Sequence, residues 1–107
     1  MEKKKPYIDM DLTLTDLSKQ MDISRNYLSF EINKYAKVNF YDFINSYRIE
    51  EAKQHLKKEL DKDLNILEIA YTSGFQSKST FYKNFKKYTQ KTPTDYRYDF
   101  IALTNKV

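Results

Sequence analysis

The sequence predicts an all-α fold: two helix-turn-helix units joined by a long linker helix, about seven helices in all. Three observations carry this expectation. One Gly and two Pro among 107 residues leave few places for sharp turns, and Leu, Ile, Lys and Glu are plentiful, a balance that favours helix. Apolar residues recur at spacings of three and four. The pattern also occurs twice. Leu17, Ser18 and Ile23 return as Ile69, Ala70 and Phe75 at a separation of 52, and Leu28, Ile32, Tyr35 and Asp42 return as Phe81, Phe85, Tyr88 and Asp95 at a separation of 53. The second copy has therefore gained one residue in its turn. Each copy reads as a short helix, a tight turn and a second helix. The length fits a single domain over residues 1–107, divided into a first unit at 12–38, a linker helix at 39–60, and a second unit with a closing helix at 64–103.

Met1 to Lys5 is basic and expected to fray, and Tyr7 to Leu12 reads as a short helix or an extended lead-in. Thr13 opens the first helix: its hydroxyl and the carboxylate of Asp16 have the spacing of a capping box. Leu14, Leu17, Ser18 and Met21 form the expected inner face. In the turn, Asp22 stands where the second copy has Gly74, a position expected to need positive φ, which Gly accepts freely and Asp tolerates. Ser24 can cap the next helix. Tyr27, Leu28, Ile32 and Tyr35 recur at helical spacing as core, while Arg25, Asn26, Ser29, Phe30 and Asn33 lie on the other side.

Asn39 can cap a long helix from Phe40 to about Glu59, with Phe43, Ile44, Tyr47, Ala52 and Leu56 as its apolar stripe and Arg48 within reach of Glu50 or Glu51. At 1.5 Å per residue it is about 30 Å long and fixes the distance between the units. Asp61-Lys62-Asp63 reads as a surface turn. Asn65 caps the second unit, where Ile66, Leu67, Ile69 and Ala70 pack inward, Gly74 turns the chain and Phe75 plugs the corner. Ser77 caps a helix to about Tyr88, with Phe81, Phe85 and Tyr88 toward the core and Lys78, Ser79, Tyr82, Lys83 and Lys86 facing away. Thr92-Pro93-Thr94-Asp95 joins a cap, a Pro at the first helical position and a carboxylate at the third. A last helix with Tyr96, Phe100 and Leu103 closes the bundle.

The composition excludes several classes. Without Cys there is no disulfide framework and no thiolate metal site, which mildly favours a reducing compartment. No metal or other cofactor is expected. No apolar run approaches the roughly 18–20 residues of a membrane span, and no signal peptide is visible. One Gly cannot build a phosphate-cradling loop, and the carboxylates fall at caps or beside lysines, so no enzyme is expected. His55, the only His, reads as a partly exposed polar residue. The net charge of +4 is modest, but its distribution is uneven: from Ile69 to Thr94 there is no acidic residue, while Lys78, Lys83, Lys86, Lys87 and Lys91 fall there. A helix-turn-helix lays its second helix in the DNA major groove, so this cationic stretch points to phosphate binding.

Taken in order, Ile69-Ala70, Gly74-Phe75, Ser79, Phe81, Phe85-Lys86, Thr92-Pro93 and Tyr96-Arg97 resemble the DNA-binding domain of AraC/XylS-family bacterial transcription regulators. Leu14, Asp16-Leu17, Ser24, Tyr27-Leu28-Ser29, Phe43-Ile44-Asn45 and Arg48 to Ala52 extend the resemblance, which runs from about Leu12 to Arg97. Asn39 to Asn45 and Ser77 to Tyr82 look like the Bacteroidetes-type variant. The resemblance implies homeodomain-like units whose recognition helices enter successive major grooves about 34 Å apart. It also implies an activator that contacts RNA polymerase, as part of a longer cytoplasmic chain that in some members is membrane-anchored upstream.

On that resemblance, the first recognition helix offers Asn26, Ser29 and Phe30 to base edges and Arg25 and Asn33 to phosphates. Phe30 departs from the family, which often has Arg there; it cannot pair with guanine but can pack on a thymine methyl. An alternative is that the first unit only positions the protein. In the second helix Lys78, Ser79, Tyr82 and Lys83 hold the equivalent positions. Lys83 can read guanine less specifically than Arg would, and Lys78 and Lys86 suit phosphates. Tyr82 can instead pack sideways onto the core, and Ser77 can present backbone N–H groups to a phosphate at the helix start. Double-stranded DNA is the expected partner, bound by a monomer with no small-molecule site in this segment. The rival expectation is a protein–protein interaction module that has lost DNA specificity, which Phe30 and Glu31 would fit.

Overall fold

The computed structural model describes residues 5–36, 39–58 and 65–105. The side chains of Tyr35 and Leu103, the turn expected at Asp61-Lys62-Asp63 and the fraying expected from Met1 to Lys4 lie outside the described residues. A 3-10 turn, Pro6–Ile8, leads into six α-helices: α1 (Leu14–Gln20), α2 (Arg25–Ala36), α3 (Phe40–Lys58), α4 (Ile66–Thr72), α5 (Lys78–Thr89) and α6 (Pro93–Asn105). There is no strand among the described residues.

Local chemistry sets the helix starts. Thr13 and Asp16 form the capping box in both directions. Ser24, Asn39, Asn65, Ser77 and Thr92 each accept from a backbone N–H in the first turn that follows, satisfying donors that the helix leaves orphaned. The two turns are built alike. In the first, Asp22 N donates to Lys19 O and Ile23 N to Ser18 O; in the second, Gly74 N donates to Tyr71 O and Phe75 N to Ala70 O. This is the paired closure of a Schellman motif, which needs one residue at positive φ. Asp22 supplies it at 55° and Gly74 at 103°.

The linker helix serves two cores with different faces. Phe40, Phe43, Ile44 and Tyr47 pack with Tyr7, Leu12, Leu17, Leu28 and Ile32 around the first unit. Ile49, Ala52 and Leu56 pack with Ile69, Ala70, Phe75, Phe81 and Phe85 around the second. At about 100° per residue, Ile44 and Ile49 point roughly 140° apart round the axis. The single stripe expected along this helix is therefore two half-length stripes on nearly opposite sides, and Ile49 belongs to the second. Tyr88 and Lys87 tie α5 to the start of α3: the Tyr88 hydroxyl donates to Asp42 O at 3.0 Å, and Lys87 Nζ lies 3.4 Å from Asp42 Oδ1.

The lead-in makes a second turn after its 3-10 turn, with Leu12 N donating to Asp9 O, and joins both halves. Arg48, expected to pair with Glu50 or Glu51, instead donates from Nε to Tyr7 O at 2.7 Å and from Nη2 to Asp9 O at 2.9 Å, with Nη1 on Asn45. Buried carbonyls without partners are costly, and the planar guanidinium fork satisfies two at once. From the second turn, Gln76 Nε2 donates to Met10 O and Asp11 Oδ1. Three further expectations are corrected: Met21, Tyr27 and Tyr88 are solvent-exposed, because Met21 is the C-cap beyond α1, Tyr27 lies about 120° from the core direction of α2, and Tyr88 reaches across the surface to Asp42 O.

Glu51, with Arg48 among the few buried charged residues described, accepts from the Tyr7 hydroxyl at 3.1 Å and lies 3.0 Å from Lys5 Nζ. His55 Nε2 is 2.9 Å from its other oxygen without the alignment of a hydrogen bond. Burial pushes the Glu51 carboxyl up, but the Lys5 and Tyr7 hydrogen bonds and the charges of Lys5 and His55 outweigh it and hold the group below its ordinary value. A lowered folded-state pKa contributes stability above the unfolded value and loses it as pH falls through the folded one. The Tm difference between the parent and Glu51→Gln should thus be largest above about pH 5 and close as the pH drops below the unperturbed Glu value of about 4.3. A difference that stays constant down to pH 3 would contradict this assignment.

Candidate nucleic-acid interface

The outer faces of α2 and α5 carry the candidate residues, and the repeat sets them in the same register. On α2, Leu28 and Ile32 are buried; on α5, Phe81 and Phe85 are. With the core direction defined by each pair, a turn of about 100° per residue places Phe30 and Lys83 at the outward apex of their helices. Asn26 and Ser79 flank these apices on one side, Lys34 and Lys87 on the other. Arg25, Asn26, Phe30 and Asn33 are all exposed, as are Lys78, Ser79, Lys83 and Lys86, while Ser29 and Ser77 are half-buried. Asn26, Ser29, Phe30 and Asn33 are thus brought together on one side of α2, and Ser79, Lys83 and Lys86 on one side of α5, while Arg25 and Lys78, at the helix starts, lie about 140° round the axis from the apices.

Tyr82 departs from the others. It is half-buried against the second core, edge-on to Phe81, with Lys78 Nζ 5.4 Å from its ring centroid. Its ring braces α5, and it contributes a platform for Lys78 more than a probe for bases. Ser77 Oγ is occupied by the Thr80 N–H and its own bond to Thr80 Oγ1. Asn33 Nδ2 donates to Ser29 O, which leaves the second hydrogen of that amide for another acceptor.

Charge is concentrated on α5. Lys83 and Lys86 have no acidic partner among the described residues. Lys87 pairs with the half-buried Asp42. Glu31, the acidic residue of α2, is half-buried on its flank rather than at its apex. Two outward residues were missed in the sequence, Lys34, whose Nζ lies 5.8 Å from the Phe30 ring centroid, and Tyr27, while Lys87 was read in the cationic stretch but not among the contact residues. The repeat separation of 53 pairs Lys34 with Lys87 and could have flagged them; Tyr27 was hidden by its place beside Leu28. A surface groove of roughly 390 Å³ lies elsewhere, among Phe43, Ser46, Tyr47, Glu50 and Tyr88.

Comparison with known proteins bears on the family and the fold. A family described as helix-turn-helix domain matches residues 17–99. An uncharacterized HTH-type transcriptional regulator of Staphylococcus aureus strain COL is 38% identical over 94 residues, which cover 88% of this chain and 12% of that protein. The chain thus spans about an eighth of that relative's length. Among solved structures, the C-terminal domain of the two-component response regulator yesN from Fusobacterium nucleatum is 40% identical, with a TM-score of 0.69 over 85% of each chain. A transcriptional regulator from Chromobacterium violaceum, described as AraC-type DNA-binding domain-containing, is 20% identical and shares the fold, with a TM-score of 0.72 over 87% of this chain and 81% of that one.

Proposed function

Because this chain belongs to the AraC-type family of helix-turn-helix transcriptional regulators, we propose that it reads double-stranded DNA through α2 and α5 seated in successive major grooves, as part of a bacterial activator. The observation that carries this is the matched register of two exposed polar helix faces in one chain. The longest dimension of the molecule is 48 Å, enough to span the roughly 34 Å between successive grooves. The half-length stripes of α3 seat one core on each side of a single helix.

The roles divide by chemistry. Lys83 at the apex of α5 donates to guanine or an adjacent phosphate, and Ser79 to a neighbouring base edge. Lys78 and Lys86 bind phosphates, with Lys87 beside them. On α2, Asn26, Ser29 and Phe30 face bases and Arg25 and Asn33 face the backbone. The two apices differ, so the bound site is asymmetric and a monomer suffices to fill it. Such a regulator acts in the cytoplasm and meets RNA polymerase through the full-length protein. No helix of the described residues is long and apolar enough to cross a membrane, so any anchor would lie in another segment.

The test is the salt dependence of duplex affinity. If six or more phosphates are contacted, log K should fall with log salt at a slope of about −5 or steeper, at roughly 0.9 for each contact. A flat salt response, or capture of a protein partner with no duplex binding, would favour the interaction-module alternative instead.

A further inference from the structure

The two outward apices are chemically opposite, and this sets what each half of the DNA site contains. Phe30 and Lys83 occupy the same place in the repeat, each directly away from its core pair. Phe30 is 59% exposed, on a face shared with Asn26, Tyr27, Asn33 and Lys34. An exposed apolar residue is ordinary, but here it stands at the most outward point of the helix. Asn26 and Lys34 flank it, Tyr27 and Asn33 lie one turn away, and Lys34 sits over its ring. Such surroundings suit a polyanion that carries a small apolar group better than they suit an apolar protein surface.

We infer that Phe30 is a specificity-determining residue that selects thymine beneath α2. The major-groove edge of a T·A pair offers the one apolar group among the four bases, the C5 methyl of thymine. The Phe30 ring packs against that methyl. Asn26, one turn earlier on the same face, can pair through both of its amide groups with an adjacent adenine. Lys83 at the matching position of α5 has only donors to offer and suits the acceptors of guanine. The site is then composite: a T·A block under the first unit and a block containing guanine under the second. This rests on the DNA-reading role proposed above for α2 and α5.

The experiment takes the duplex most enriched by the intact protein from a random library and replaces its thymines one at a time with deoxyuridine, which removes only the methyl. One position under α2 should lose about fourfold in affinity, the equivalent of roughly 0.8 kcal/mol for one buried methyl. Phe30→Ala, whose exposed side chain leaves the core untouched, should bind the thymine and deoxyuridine duplexes alike. Phe30→Lys should move the preferred base at that position toward guanine. Indifference of the parent to every methyl, or a methyl effect that persists in Phe30→Ala, overturns the inference and leaves the DNA-binding role standing. The absence of any salt-dependent duplex binding overturns both.

Discussion

Gly74→Ala should destabilise the protein by about 2–5 kcal/mol, the sum of a left-handed backbone penalty and overpacking. Two independent constraints meet at this residue. Its φ of 103° is a conformation that side chains resist. A Cβ there would also lie 2.4 Å from Tyr7 O, 2.9 Å from Arg48 Nε and 3.1 Å from Ile8 Cα. The first obstacle is backbone, so relief requires the lead-in to move. Moving it loosens the Arg48 bonds to Tyr7 and Asp9, which would leave carbonyls short of donors. Thermal unfolding should show a fall in Tm of at least about 10 °C for a domain of this size. The matching first-unit position is the control. Asp22 already carries a side chain at φ 55°, so Asp22→Gly should change stability by less than about 1 kcal/mol. Equal, small effects at both positions would contradict the close approach of the lead-in to the second turn.

The second large effect concerns DNA. Replacing Lys78, Lys83 and Lys86 together with Ala should weaken duplex binding by about two to three orders of magnitude near 0.1 M salt, closing as the salt approaches molar. The salt slope should drop by about three units, one for each cation. All three side chains are exposed, so circular dichroism and Tm should stay near the parent's. The matching triple on α2, Arg25, Phe30 and Asn33 to Ala, carries one cation and should lower the slope by only about one unit. An unchanged slope in the α5 triple would remove that helix from the interface.

Much of the fold was legible because its signals are local. Caps act within three residues, so Thr13, Ser24, Asn39, Asn65, Ser77 and Thr92 announced their helices, and the repeat disclosed that Asp22 and Gly74 share a turn geometry. Long-range facts were hidden. Nothing near Arg48 in sequence reveals that its partners are the carbonyls of Tyr7 and Asp9, about forty residues away. Nor does periodicity show that α3 changes its buried face midway, since a stripe that switches sides blurs into a helix with no clear face. The requirement for Gly at 74, beyond positive φ, depends on the lead-in crossing over it. The outward faces were mostly legible, because spacing alone separates Phe30 and Lys83 from the core. Tyr82 was harder: a Tyr at the margin of a helix face can lie along the core or stand away from it, and here it lies along the core.

The central claim is that both units read bases, each in its own groove. The most direct measurement is the selection of bound duplexes from a random library with the purified protein at near-physiological salt. Two preferred blocks centred about one helical turn apart are expected, one rich in T·A pairs and one containing guanine, with no symmetry between them. A single block would contradict the claim by leaving α2 as a positioning element alone, and two identical blocks would contradict the division of chemistry between Phe30 and Lys83.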